Sequence, residues 1–201
     1  MREPDNQQNN EFYQKGLNAF KKKNYAYAIE LFQEILRDNP DFSECRHYLW
    51  NSLREHKKNN ASIYNKLKDL IPAIFLNIKL TILVLSGQTR QAVDLAEKIV
   101  TLIPDNITAY MKLATVFTQA QDNLKAITAF EEILFLDRKN IGALSNLARL
   151  YFKQGNYKKA KATSEILLDI TTQNLDAENI LKDIAALGAI EKGFDDIKPA
   201  T

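Results

Sequence analysis

The chain has 201 residues, 45% hydrophobic and 26% charged, with only six glycines and five prolines. That is the make-up of a helix-rich globular protein, and it excludes a collagenous or broadly disordered one. Net charge is +2, with 15 basic against 12 acidic residues up to Val100 and 12 against 13 beyond, too even for the footprint that nucleic acid or an anionic membrane selects.

Cys45 is the single cysteine, so no intramolecular disulfide forms, and the N-terminus lacks the charged start, apolar core and cleavage site of a signal peptide. The expected compartment is a reducing cytoplasm. Residues 1–10 are polar, rich in Asn and Gln, and without apolar periodicity, which predicts a disordered lead-in. From Glu11 a helical pattern begins: Phe12, Gly16, Ala19 and Phe20 on one helix, a turn at Lys23 and Asn24, then Tyr25, Ala28, Ile29, Phe32, Ile35 and Leu36 on a second. The basic run Lys21 to Lys23 falls at the end of the first helix, where cations oppose the negative end of the helix dipole. Asn39-Pro40 stops the second helix. Gly16 and Ala28 are the small pair that lets two antiparallel helices approach, with Phe32 filling the space beside them.

The next unit, 41–72, starts regularly at Asp41 and then departs. Trp50 stands in a slot where a small residue is expected, and Ser62, Ile63, Leu67, Leu70 and Ile71 predict an irregular second helix stopped by Pro72. Spacing locates the irregularity: Ala28 to Ala92 is 64 residues, whereas Ala92 to Ala126 and Ala126 to Ala160 are 34 each. A third unit runs from Ala73 to Pro104 with a turn at Ser86-Gly87. A fourth, Ile107 to Arg138, carries Tyr110, Leu113, Ala114 and Phe117, then Ala126, Phe130 and Ile133. A fifth follows, in which Thr172 takes the place of a terminal proline. Residues 175–187 repeat only a first-helix pattern, with Leu181, Ile184, Ala185 and Leu187 facing the array, which predicts a cap ended by Gly188. The tail 188–201 reads as irregular.

In the fifth unit Leu144, Leu147, Ala148, Tyr151, Gly155, Tyr157 and Ala160 stand in the order and spacing of the tetratricopeptide (TPR) pattern, and with the 34-residue period the chain resembles a TPR protein over 11–187. The second unit and the segment Ile190 to Gly193 resemble bacterial TPR proteins of unassigned function. The resemblance implies an all-α fold, a right-handed superhelix of antiparallel helix pairs whose first helices line a concave groove that binds a protein or peptide. Carried over position by position, that groove would show Tyr13 and Leu17, His47 and Asn51, Ile74, Asn77, Ile78 and Thr81, Met111, Lys112 and Thr115, then Ser145, Asn146 and Arg149. One TPR subclass grips a C-terminal carboxylate with Lys and Asn on successive repeats. Here Met111 and Thr115 stand where that set needs Lys and Asn, which disfavours chaperone tails.

Catalytic patterns are weak. His47 and His56 lie nine residues apart, not at the i, i+4 spacing of a helical metal pair. Cys45 and His47, two apart, point in different directions on a helix, so Cys45 reads as a structural thiol. Glu131-Glu132 and Asp195-Asp196 read as solvated charges. No enzyme activity, cofactor or metal is expected. Residues 70–85 hold twelve apolar residues in sixteen, too short and too interrupted by Pro72, Asn77 and Lys79 to span a membrane. Two dispositions are open: the stretch is covered by the helix at 62–71, or Ile74, Ile78, Val84 and Leu85 leave an apolar floor for a partner helix or a second copy. The expected function is a non-enzymatic scaffold, adaptor or chaperone-like protein holding a partner segment in the groove, with homo-oligomerisation open. The alternative is a peripheral membrane-complex assembly component docking through 70–85 or the tail.

Overall fold

The computed structural model describes the backbone of residues 4–59, 63–171 and 173–195 and the side chains of 10–59, 68–171 and 173–188. Expectations for Ser62, Thr172 and 196–201, and for the side chains of Ile63, Leu67 and Ile190 to Asp195, fall outside these. All regular structure among the described residues is helical: α1 Pro4–Lys21, α2 Tyr25–Asp38, α3 Ser43–Asn59, α4 Ile63–Leu85, α5 Thr89–Leu102, α6 Ile107–Gln119, α7 Asn123–Leu136, α8 Ile141–Lys153, α9 Tyr157–Ile170 and α10 Leu175–Asp195. None is long and apolar enough to cross a membrane. The contacts divide the chain into two compact units, 1–132 and 133–201.

Local chemistry explains the hairpins. Lys23, Gly87, Gln121 and Gly155 each take positive φ, between 60° and 75°, and each follows a first helix whose last carbonyls are closed by the turn. Thus Asn24 N–H donates to Ala19 O at 2.9 Å, and Asp122 and Asn156 N–H repeat the bond to Phe117 and Tyr151 at 3.0 and 2.9 Å. The partner helices are started by polar side chains: Asn24 and Asn156 accept from the N–H three residues on.

In the first unit, α1, α2 and α3 enclose Tyr13, Ala19, Ala28, Phe32, Ile35 and Cys45. Gly16 is indispensable to the close approach: a Cβ there would lie 2.6 Å from Phe32 Cε1. Cys45 is buried, its Sγ donating to Phe32 O at 3.6 Å, and burial pushes the thiol up to about 12.

Three expectations are corrected, and one of the two dispositions open for 70–85 is excluded. The lead-in at 1–10 is helical from Pro4. Pro72 does not stop a helix at 71: it lies inside the single 23-residue α4. A proline in a helix interior forfeits the bond to the carbonyl four residues back, at about 3 kcal/mol, and here Pro72 is exposed, where water can take that carbonyl. Because 63–71 and 73–85 are one helix, the first cannot cover the second. Gly188 does not end α10, which continues to Asp195.

In the second unit α8 pairs with α9 through Ala148 and Ala160, both fully buried, and α10 packs on both. Leu144, Leu167 and Ala177 form its core cluster. Of α10, Ala177 and Ile180 are buried. The residues expected to face inward do so only partly, with Leu181, Ile184 and Leu187 half-buried and Ala185 exposed.

Candidate functional site

The residues read as groove-lining fall into three settings. Tyr13 belongs to the core and not to an open groove: its ring sits 4.8 Å from Phe42 and 6.1 Å from Phe32, its hydroxyl donates to Glu44 Oε2 at 3.5 Å, and burial pushes the phenol up to about 12. Leu17 is half-buried beside it.

His47 and Asn51 are engaged inside the first unit. His47 Nδ1 lies 2.6 Å from Glu132 Oε2 on α7, and Asn51 Nδ2 donates to His47 Nε2 at 2.8 Å, which assigns the remaining ring proton to Nδ1. Arg54 donates to the other Glu132 oxygen, to Asn51 Oδ1 and, at 3.0 Å, to the Tyr110 hydroxyl on α6. Arg54 is 3% exposed and Glu132 1%. At the other end of α3, Arg46 pairs with Glu97 on α5 and donates to Pro40 O at 2.8 Å, its guanidinium lying over Trp50 and Phe117. Trp50 meets Tyr110 edge-on at 5.1 Å, so the bulky residue in the small slot packs on α6. Helix α3 is thus fastened to α5, α6 and α7 by a buried polar network. The reading of Glu132 as a solvated charge is wrong, and Arg54 and Glu97 were missed. A signal was present for Glu132, which follows Ala129 by three and Thr128 by four on a buried face.

The third setting is open. On α4, Ile74, Ile78 and Thr81 are exposed, and on α6 Thr115 is exposed beside half-buried Met111 and Lys112. Lys112 Nζ donates to Asn77 Oδ1 at 2.7 Å, joining the two helices, while Asn77 Nδ2 donates back to Ala73 O at 2.8 Å. Thr81 and Thr115 donate to the backbone one turn earlier, at 3.0 and 2.8 Å, and keep their acceptor lone pairs. Beside this polar strip runs an apolar stripe, Ile71, Ile74, Phe75, Ile78, Ile82 and Leu85, from half to four-fifths exposed. Of the two dispositions open for 70–85, it is therefore the exposed one that Ile74, Ile78 and Leu85 adopt, while Val84 is half-buried. In the second unit Asn146 donates to Gly142 O at 2.7 Å, Ser145 is half-buried, and exposed Arg149 pairs with Asp176 on α10.

Models of the tetratricopeptide repeat family match residues 12–41 and residues 117–184. The chain is a tetratricopeptide repeat protein. Solved TPR structures agree in fold. The first TPR of Spaghetti (RPAP3), bound to the HSP90 peptide SRMEEVD, superposes with a TM-score of 0.53 at 22% identity over 58% of this chain and 93% of its own. The Arabidopsis OM64 TPR domain gives 0.53 at 20% identity over 59% and 98%. The P58(IPK) TPR domain gives 0.51 at 15% identity over 92% and 67%. A search of curated proteins found no match.

Proposed function

We propose that this TPR protein is a non-enzymatic scaffold that holds a segment of another protein along α4 and α6. The observation that carries the reading is the strip formed by Asn77, Thr81, Lys112 and Thr115 beside an exposed apolar stripe: apolar contact supplies affinity, and a few fixed donors and acceptors set orientation. That the first TPR of Spaghetti (RPAP3) is described with a bound peptide supports a peptide as the kind of partner. An acidic C-terminal tail is not the class proposed, because Lys112 is turned to Asn77 by a hydrogen bond and Met111 and Thr115 stand where a carboxylate grip needs Lys and Asn. His47 and Asn51 are left out of the surface, since Glu132 and Arg54 hold them.

The test is selection from a displayed peptide library, followed by titration of the enriched peptide. Lys112→Ala and Thr115→Glu, both on α6, should each weaken binding about tenfold, the cost of about 1.4 kcal/mol in contacts, with far-UV circular dichroism unchanged. Binding that ignores both substitutions overturns the assignment of this strip.

A further inference from the structure

Helix α4 is apolar on two faces. Ala73, Leu80 and Leu83 are buried on one, where α4 packs on α5, and the other carries the stripe of Ile71, Ile74, Phe75, Ile78, Ile82 and Leu85. At 100° per residue those six span about 100° of the helix circumference, the width of a stripe made to face a core. Ile78 is 58% exposed and Leu85 81%. With side chains of ordinary size, the open apolar area is roughly 700 Å², above the few hundred a monomer usually shows and near the 800 Å² each partner contributes to a standard interface.

We propose that this face pairs with the same face of a second copy of the chain, α4 against α4, antiparallel, about a two-fold axis at Ile78. The sequence of the stripe is what selects this occupant. Ile74 and Ile82 stand four residues to either side of Ile78, and Ile71 and Leu85 seven. An antiparallel copy therefore lays Ile78 on itself, Ile74 against Ile82 and Ile71 against Leu85, and an isologous contact needs such self-complementarity. A membrane surface fits less well. Helices that lie in lipid headgroups carry cations along their polar side, whereas residues 70–85 contain one charge, Lys79, and the face opposite the stripe is packed on α5. Lys79, one residue from the axis, meets its own copy at the rim, so salt should tighten the pair by screening.

Sedimentation equilibrium of the full chain over a range of concentrations tests this. The expected mass at the upper end is twice 23.0 kDa, rising toward that value at lower concentration when salt is added. Ile82→Asp and Leu85→Asp, both at exposed positions, should sediment as monomers with unchanged circular dichroism. Under mild oxidation Ile78→Cys should form a disulfide with itself, while Ile71→Cys and Leu85→Cys should cross-link chiefly to each other when mixed. The native thiol does not interfere, because Cys45 is buried and protonated at neutral pH. A mass of 23.0 kDa at every concentration overturns the proposal, as does a dimer that survives both aspartates. Efficient self-linking of Ile71→Cys overturns the antiparallel register. Flotation of a monomeric protein with phosphatidylserine vesicles, lost on adding salt, gives the face to lipid instead. Lys112→Ala, on α6 and outside the stripe, separates this proposal from the scaffold reading: it should weaken the selected peptide and leave the dimer mass unchanged.

Discussion

Glu132 is the most exacting place to perturb the first unit. Its carboxylate is 1% exposed and receives Arg54, itself 3% exposed, and His47. Glu132→Gln keeps the shape but leaves the guanidinium buried without its counter-ion. Breaking a buried pair on one side costs about 3 to 5 kcal/mol, which at roughly 3 °C per kcal/mol for a unit of this size lowers the unfolding midpoint by about 9 to 15 °C. Removing both charges is a different matter. Arg54→Met with Glu132→Leu replaces the pair by apolar volume and should recover much of the loss, because the desolvation of both ions disappears with them. Urea unfolding followed by circular dichroism on wild type, Glu132→Leu, Arg54→Met and the double Arg54→Met, Glu132→Leu chain reads the coupling directly, with Glu132→Gln measured beside them. If Glu132→Gln costs less than about 1 kcal/mol, or the double chain loses the sum of its parts, the network is not what fastens α3.

Gly16→Ala should destabilise by about 1 to 3 kcal/mol, since its Cβ would stand 2.6 Å from the Phe32 ring; an unchanged urea midpoint would show that α1 and α2 are not pressed together there. Stability should fall as pH rises from about 9 to 12. Cys45 is raised from 9.0 to about 12 and Tyr13 from 10.0 to about 12, chiefly by burial, so both ionise first in the unfolded chain, and the stability they lend below pH 9 is lost as pH climbs through the folded values. Urea midpoints at fixed ionic strength check this, and Cys45→Ala should flatten the early part of the slope.

The hairpins of this fold were legible because their causes are local. The small pair at Gly16 and Ala28 and the turn after Phe20 each follow from residues within one hairpin, and the 34-residue period from Ala92 to Ala160 repeats such a hairpin. Where the sequence misled, the deciding partner was distant or absent. Pro72 reads as a stop, yet on an exposed helix surface its orphaned carbonyl can be solvated, and α4 runs on. Gly188 reads as a cap, but nothing meets its missing side chain and α10 passes through it. Glu131-Glu132 looks like one solvated pair. Only the arrival of Arg54 from 78 residues away separates a buried member from an exposed one. The exposed stripe of α4 was legible as excess apolarity, while its exposure depended on 63–85 being one helix.

The fastening of α3 also decides how the chain can come apart. Stacked repeats ordinarily meet only their neighbours, so they nucleate anywhere and zip along. Here Arg46 reaches over 51 residues to Glu97, Arg54 over 56 to Tyr110 and over 78 to Glu132, and His47 over 85 to the same carboxylate. Those bonds form only after the helices between their ends are in place, so the entropy of a long loop is lost before the bonds compensate it. Residues 43–132 should accordingly fold and unfold as one late, slow, all-or-none block, exchanging their amide hydrogens together, whereas α8 and α9 keep the quick, piecewise kinetics of an ordinary helical hairpin.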